Sequence, residues 1–249
     1  MRQVSQGVSL HAQGDVFQLK YLAEQAELLM DGIDDLIAAT ERAAPVRTRQ
    51  PYVLKRTVGG SPINEEARWE RAIWSEWHDA DEEFVPGVCS GIVSYQVMLR
   101  DRNADKGWGE IDLLGRSPEG WPVVIELKGA SSNEPPLRGL VEGVAYSIAL
   151  RKAWTECLAS QWCNALGIAD VADCDFRTIF VAPTEYWNRV TGQTGPKWSV
   201  PKDGWQVIAR LLRGLGERRL PVSLARLDAA DAIAPRGIRA SLVEIDSLL

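Results

Sequence analysis

Two short runs, Gly109-Glu-Ile-Asp-Leu-Leu-Gly115 and Val123-Val-Ile-Glu-Leu-Lys-Gly129, place acids and a lysine inside segments that read as buried β-strands. In the first, Ile111 and Leu113 alternate with Glu110, Asp112 and Leu114, the period of two that a strand imposes. In the second, apolar residues lead to Glu126 and Lys128, which fall on one face while Ile125 and Leu127 take the other. The connector Arg116-Ser-Pro-Glu-Gly120 is rich in turn formers, so the runs are expected to pair as an antiparallel hairpin. That pairing brings Asp112 near Glu126 and Lys128, and the fold must compensate charges that lose their hydration there.

Two carboxylates at close range repel, and one is forced to hold a proton unless a cation lies between them. A lysine bridging two acids on a half-exposed sheet face is one answer. A hard divalent cation is another, since Mg²⁺ or Mn²⁺ takes one or two carboxylates together with water and substrate phosphate. The second arrangement resembles the PD-(D/E)XK nuclease superfamily, in which an Asp on one strand precedes Glu-x-Lys on the next. Here these are Asp112 and Glu126-Leu127-Lys128. The resemblance covers roughly residues 64 to 185 in the order α-β-β-β-α-β and leaves both ends unexplained. It implies an α/β fold: a three-layer α-β-α, restriction-endonuclease-like core with a mixed central sheet. It also implies a metal-dependent nuclease, acting on DNA before RNA. Asp112, Glu126 and the backbone carbonyl of Leu127 would hold Mg²⁺ or Mn²⁺, with Glu110 as an outer-shell group. Lys128 would orient the attacking water or stabilise charge in the transition state. Two other readings stand beside it: a catalytically inactive module of this fold that binds nucleic acid or a protein partner, and a structural or regulatory dimer.

Upstream, Asn64 is a plausible N-cap for a helix running to Trp77. Trp69, Ile73, Trp74 and Trp77 form its apolar face, and Glu66 and Glu70 lie in the middle of that face, with Glu65 and Glu76 at its edges or beyond. Many members of the superfamily carry a helical Glu that completes the metal site. Glu70 is preferred over Glu66 for that part, because Ile73, Trp74 and Trp77 follow it at i+3, i+4 and i+7. Both glutamates could instead pair with Arg68 or Arg71 at the rim. Downstream, Pro135-Pro136 can start a helix whose stripe is Leu137, Leu140, Val141, Val144, Ala145 and Ile148. Arg138, Glu142 and Tyr146 recur every four residues along another face. Many superfamily members have Gln-x-x-x-Tyr in this helix, directed at the substrate. Glu142-x-x-x-Tyr146 keeps the Tyr and departs at the Gln, and a Glu there repels phosphate unless it bonds Arg138 or Lys128. Tyr146 reads equally as a tyrosine at the core boundary.

The other expected elements are a first core strand over Gly91 to Arg100, a crossover helix from 137 to about 160, a parallel strand over Phe176 to Pro183, and an amphipathic helix over Gly204 to Leu215. Near the N-terminus, Leu19, Leu22, Ala26, Leu29, Ile33 and Leu36 step by three and four within an expected helix from about Asp15 to Arg42. That stripe can pack on the core or pair with a second copy in a homodimer. Residues 43 to 60, with Pro45, Pro51 and Gly59-Gly60, read as a linker. The chain thus divides into an N-terminal helical segment over 1–60 and a nuclease-like domain over 61–249.

Composition sets the remaining bounds. No apolar run is long enough to span a membrane and no signal segment is evident, so a cytoplasmic protein without a membrane partner is expected. Four cysteines without C-x-x-C spacing and two histidines give little support to zinc or histidine-based chemistry. The formal charge of −6 runs against nucleic-acid binding, which usually has a basic footprint. Two local patches offset it: Arg47, Arg49, Lys55 and Arg56, and the recurring Arg210, Arg213, Arg218, Arg219 and Arg226. Trp69, Trp74 and Trp77 read as core, whereas Trp108, Trp121, Trp187 and Trp198 lie near turns and could stack on bases.

Overall fold

The structure, a computed structural model, describes residues 22–45, 62, 64–78, 80–99, 108–155, 175–195, 199–231 and 234–248. Six strands form one sheet in sequence order: β1 (Gly91–Met98), β2 (Glu110–Arg116), β3 (Pro122–Leu127), β4 (Arg177–Pro183), β5 (Val222–Asp228) and β6 (Arg239–Leu242). The expected hairpin forms its second and third strands. β2 and β3 pair antiparallel from Leu113↔Ile125 to Arg116↔Pro122, and the turn closes through Gly120, at φ +89°, whose N–H donates to the Ser117 carbonyl at 2.9 Å. β1 pairs antiparallel with β2, β4 runs parallel to β3, β5 runs parallel to β4, and β6 returns antiparallel to β5. The described helices are α1 (Leu22–Asp31), α2 (Ile33–Ala43), α3 (Glu65–Trp77), α4 (Pro136–Ala153), α5 (Thr184–Val190) and α6 (Lys202–Gly216).

β3 is buried at every position because strands flank it and helices cover both faces of the sheet. On one face Val123, Ile125, Leu127, Ile179 and Val181 pack with Trp69, Ile73, Trp74 and Trp77 of α3. On the other, Val124, Phe180 and Leu224 pack with Leu140 and Val144 of α4 and Leu211 and Leu215 of α6. The expected α/β class with a mixed sheet is therefore what the chain adopts. α4 is the crossover between parallel β3 and β4, as a parallel pair requires. α5, β5 and β6 lie beyond the elements expected from sequence.

Near the N-terminus the expected single helix is two. Gly32 interrupts it, with φ −108° and ψ 14°, and α2 starts afresh at Ile33. Residues 15–21 of the expected helix lie outside the described residues. Ala26, Leu29, Ile33, Leu36 and Ile37 are buried in the same cluster as Leu140, Val141 and Leu211. Ion pairs pin the two helices down: Arg210 to Glu27 at 2.6 Å and Arg218 to Asp34 at 2.5 Å. Four members of the stripe, Ala26, Leu29, Ile33 and Leu36, are thus covered by the chain's own α4 and α6. Among the described residues, no helix is long and apolar enough to cross a membrane.

Two glycines let α4 lie close on the charged strand. A Cβ on Gly143 would stand 2.7 Å from Thr178 Cγ2 and 3.2 Å from Glu126 Cβ, and one on Gly139 would overlap the Phe180 ring. Gly143→Ala is expected to destabilise the fold by about 1–3 kcal/mol through overpacking, despite alanine's better helix propensity. Urea unfolding measures this, and a variant as stable as the parent would contradict the close approach.

Candidate active site

The antiparallel ladder opens where the first acid stands. β1 and β2 pair as Tyr95↔Leu113 and Val97↔Ile111, but the intervening pair, Gln96 and Asp112, is skipped. On the other side, β2 and β3 stop pairing at Leu113↔Ile125, one step before Asp112 would meet Glu126. The backbone cause lies at Gln96, which has φ +48° in the middle of β1. Side chains change face there. Tyr95 and Leu113 pack with the α3 tryptophans, whereas Val97 and Ile111 pack in the α4 cluster. Strict alternation, which would put Ile111 and Leu113 on one face, fails at this point.

The Asp112 carboxylate fills the opening by accepting a hydrogen bond from the Leu127 N–H at 2.8 Å. Lys128 N–H points the other way, to Val181 of β4 at 3.0 Å. A strand's N–H and C=O groups alternate in pairs, so the Leu127 carbonyl points to the β2 side, toward Asp112. Glu126 and Lys128 both lie under α4, as their shared face requires. Lys128 Nζ stands 2.7 Å from Glu126 Oε1, 3.2 Å from Glu134 Oε2 and 3.8 Å from Glu142 Oε2. Both members of the closest pair are almost fully enclosed, at 6% exposure for Lys128 and 3% for Glu126.

Enclosure dominates the electrostatics. Burial raises Asp112 well above the usual carboxylate range, and the charges of Glu126 and Glu70 add to it, against relief from Lys128 and the Leu127 N–H. Burial also pushes Glu126 up to about 8, with Lys128 opposing and Glu142 and Glu66 reinforcing. The two acids behave as a pair that holds a proton in the absence of a cation. For Lys128, burial favours the neutral amine, but Glu126, Asp112, Glu134 and Glu142 outweigh it and keep the group an ammonium.

The helical glutamates divide their work. Glu70 is buried, its Oε2 accepts from Gln96 Nε2 at 3.0 Å, and Asp112 feels its charge. Glu66 accepts from the Gly129 N–H at 3.2 Å, and Glu65 accepts from Ala130 N–H at 2.7 Å, from Ser131 N–H at 3.1 Å and from the Ser131 hydroxyl. These two hold the loop after β3. Burial opposes ionisation of Glu65, yet the Ser131 and Ala130 bonds prevail and lower its pKa. The Asn64 cap expected for this helix is present, accepting from Ala67 N–H at 2.8 Å.

On α4, Tyr146 is buried and its hydroxyl donates to Glu142 Oε1 at 2.9 Å. A Cβ on Gly109 would stand 2.7 Å from that hydroxyl, so the ring closes over the start of β2. Arg138 pairs with Glu134 at 3.5 Å. Glu110 is half-buried at the start of β2. Asp112 therefore stands close enough to Glu126, Lys128 and Glu70 to feel their charges, Glu142 contacts Lys128 and Tyr146, and Arg138 pairs with Glu134. Sequence reasoning missed Gln96, Glu65 and Glu134. Of these only Gln96, a polar residue within an apolar strand, carried any signal.

The basic patches fare differently. Arg210, Arg218, Arg219 and Arg226 lie within 3.5 Å of Glu27, Asp34, Asp175 and Asp228 respectively, so these four cations are matched by acids. Arg47, Arg49, Lys55, Arg56 and Trp198 lie outside the described residues. Trp108 and Trp187 are buried, which removes them as base-stacking platforms, and Trp121 is half-buried with the Arg177 guanidinium 5.4 Å from its ring centre.

Among the described residues, no three His, Cys, Asp or Glu side chains form a ready-made metal cage. The donor chemistry nonetheless suits Mg²⁺ or Mn²⁺: two oxygen donors from adjacent strands, a backbone carbonyl aimed at the same gap, and acids that would exchange a proton for a cation. Such ions characteristically take few protein ligands and keep several waters. No protein-family model, no curated protein and no solved structure matches the chain.

The raised carboxyl gives a pH signature. Below its ordinary value of 4.5, Glu126 is neutral folded or unfolded and imposes no penalty. Between 4.5 and about 8 the folded state holds the extra proton, so its contribution to stability declines as pH rises and the loss is complete above about 8. Glu126→Gln should therefore gain in melting temperature relative to the parent as pH rises from 5 to 8 in EDTA. A constant difference across that range would contradict the buried-pair electrostatics.

Proposed function

We propose that the chain is a metal-dependent nuclease of the PD-(D/E)XK kind, hydrolysing phosphodiester bonds, with DNA as the first substrate to test. One observation carries this reading: Asp112 and Glu126-Leu127-Lys128 meet where the ladder between adjacent strands opens, with Glu70 of the preceding helix beside them. A mixed sheet with helices on both faces is compatible with the restriction-endonuclease-like, three-layer core that the motif implies. On this reading the chain acts in the cytoplasm with nucleic acid as its partner.

When bound, Mg²⁺ or Mn²⁺ would polarise the scissile phosphate and acidify a water molecule. Asp112, Glu126 and the Leu127 carbonyl would hold it, with Glu70 assisting through water. Lys128 is a donor in this scheme and never a base, because the surrounding acids keep it protonated. Its ammonium would neutralise charge developing on the phosphoryl oxygens as the water oxygen bonds to phosphorus and the ester P–O bond breaks, the leaving oxygen taking a proton from solvent. Glu134 and Glu142 set its resting position, while Arg138 draws on the first and Tyr146 on the second. Glu142, the residue that departs from the superfamily's Gln, thereby faces a lysine and a tyrosine hydroxyl.

The reading of an inactive module has one observation in its favour: three carboxylates hold Lys128, and an acidic rim repels a polyanion. Calorimetry separates the two, since Mn²⁺ binding abolished by Asp112→Asn supports the nuclease and no Mn²⁺ binding supports the module.

With Mg²⁺ or Mn²⁺, cleavage of plasmid, linear or single-stranded DNA, or of RNA, is expected, and Lys128→Ala should slow it by about 100-fold or more. Gel assays under single-turnover conditions measure this. Full cleavage by Lys128→Ala would refute the mechanism.

A further inference from the structure

We infer that Gln96 is a positioning residue of the candidate site, orienting Glu70 beside Asp112, and that β1 keeps a strained backbone for this purpose. The inference rests on the metal-site reading above and extends it to a residue that the motif does not contain.

At φ +48°, Gln96 occupies the left-handed region, where a side chain with a Cβ crowds its own backbone. Glycine would adopt the same backbone without that crowding. A β-branched residue would keep the strand regular and the ladder whole. The chain has neither, so the side chain itself accounts for the residue found there.

The strain also has a specific location. Continuing the register between Tyr95↔Leu113 and Val97↔Ile111 puts Gln96 opposite Asp112, at the skipped step. Outliers of this kind cluster at functional sites, where the surrounding structure over-determines them. Here the surroundings do so: Tyr95 is held among the α3 tryptophans and Val97 in the opposite cluster, so the backbone between them must turn.

What the turn delivers is an amide. Gln96 Nε2 donates to Glu70 Oε2 at 3.0 Å, and Glu70 is only 6% exposed. A donor bond to a carboxylate fixes its rotation. Because the amide is neutral, it does this without adding a cation that would compete for Asp112 and Glu126. Groups that orient metal ligands change metal affinity by about 10–100-fold when removed, and Gln96, acting through Glu70 and its water, is expected at the low end of that range.

The test is Mn²⁺ binding by calorimetry on the parent, Gln96→Gly, Glu70→Gln and the double variant, with metal-free melting temperatures alongside. Glycine relieves the backbone strain but removes an amide donor from the buried Glu70 carboxylate, so Gln96→Gly is expected to melt lower than the parent without metal and to bind Mn²⁺ about tenfold more weakly. In the Glu70→Gln background, Gln96→Gly should add no further loss. Equal Mn²⁺ affinity in the parent and Gln96→Gly overturns the inference whatever the melting temperatures, and additive losses overturn its route through Glu70. Failure of the parent to bind Mn²⁺ overturns the metal-site reading beneath it, which separates the two failures.

Discussion

Two acids and an ammonium set into a sheet, Glu126 and Lys128 almost fully enclosed and Asp112 half-buried, set the terms for the structure around them. Leaving any one of the three without a partner would cost several kcal/mol. The solution has two parts. Glu126 takes Lys128 directly, at 2.7 Å under α4, while Asp112 takes a backbone N–H that a regular ladder would have given to β2. The second part requires the strands to separate at Asp112, and the proposed function sets its metal ion in that opening. Stability and chemistry thus draw on the same defect in the sheet.

The rest of the fold adapts to that defect. Gly139 and Gly143 bring α4 within contact distance of Lys128 and Glu126, closing the charged face against water. Glu65 and Glu66 at the start of α3 hold the loop after β3 by its N–H groups, and Tyr186 and Arg189 hold its far end through the carbonyls of Glu134 and Ser132. The loop that carries Glu134 to Lys128 is therefore anchored from both sides of the sheet. α1 and α2 form a further layer behind α4 and α6.

Much of this was legible in sequence because it is local. The hairpin follows from period-two runs around a turn, the α3 cap from Asn64, and the α4 stripe from its helical spacing. Asp112 and Glu126 could be brought together because a hairpin leaves little freedom in register. The face switch at Asp112 was not legible, since it depends on the dihedral of Gln96 on a different strand. Glu65 falls at the edge of the helix's apolar face, and its partners, Ala130 and Ser131, lie more than 60 positions away. Gly139 and Gly143 carry no mark in a helix beyond lower propensity, and their reason appears only with Thr178 and Phe180 in place. The C-terminal arginines looked like a basic footprint until Glu27, Asp34 and Asp175, remote in sequence, were seen to neutralise three of them.

The central claim is that the opening between β1, β2 and β3 is a metal site whose ligands are held by a strained strand and a buried lysine. Diffraction from crystals soaked in Mn²⁺, with anomalous data, tests it most directly. The account predicts one Mn²⁺ bonded to Asp112, Glu126 and the Leu127 carbonyl, with Glu70 one water away and Lys128 released from Glu126. Crystals that show no anomalous peak in the opening, with Lys128 still bonded to Glu126, would contradict it.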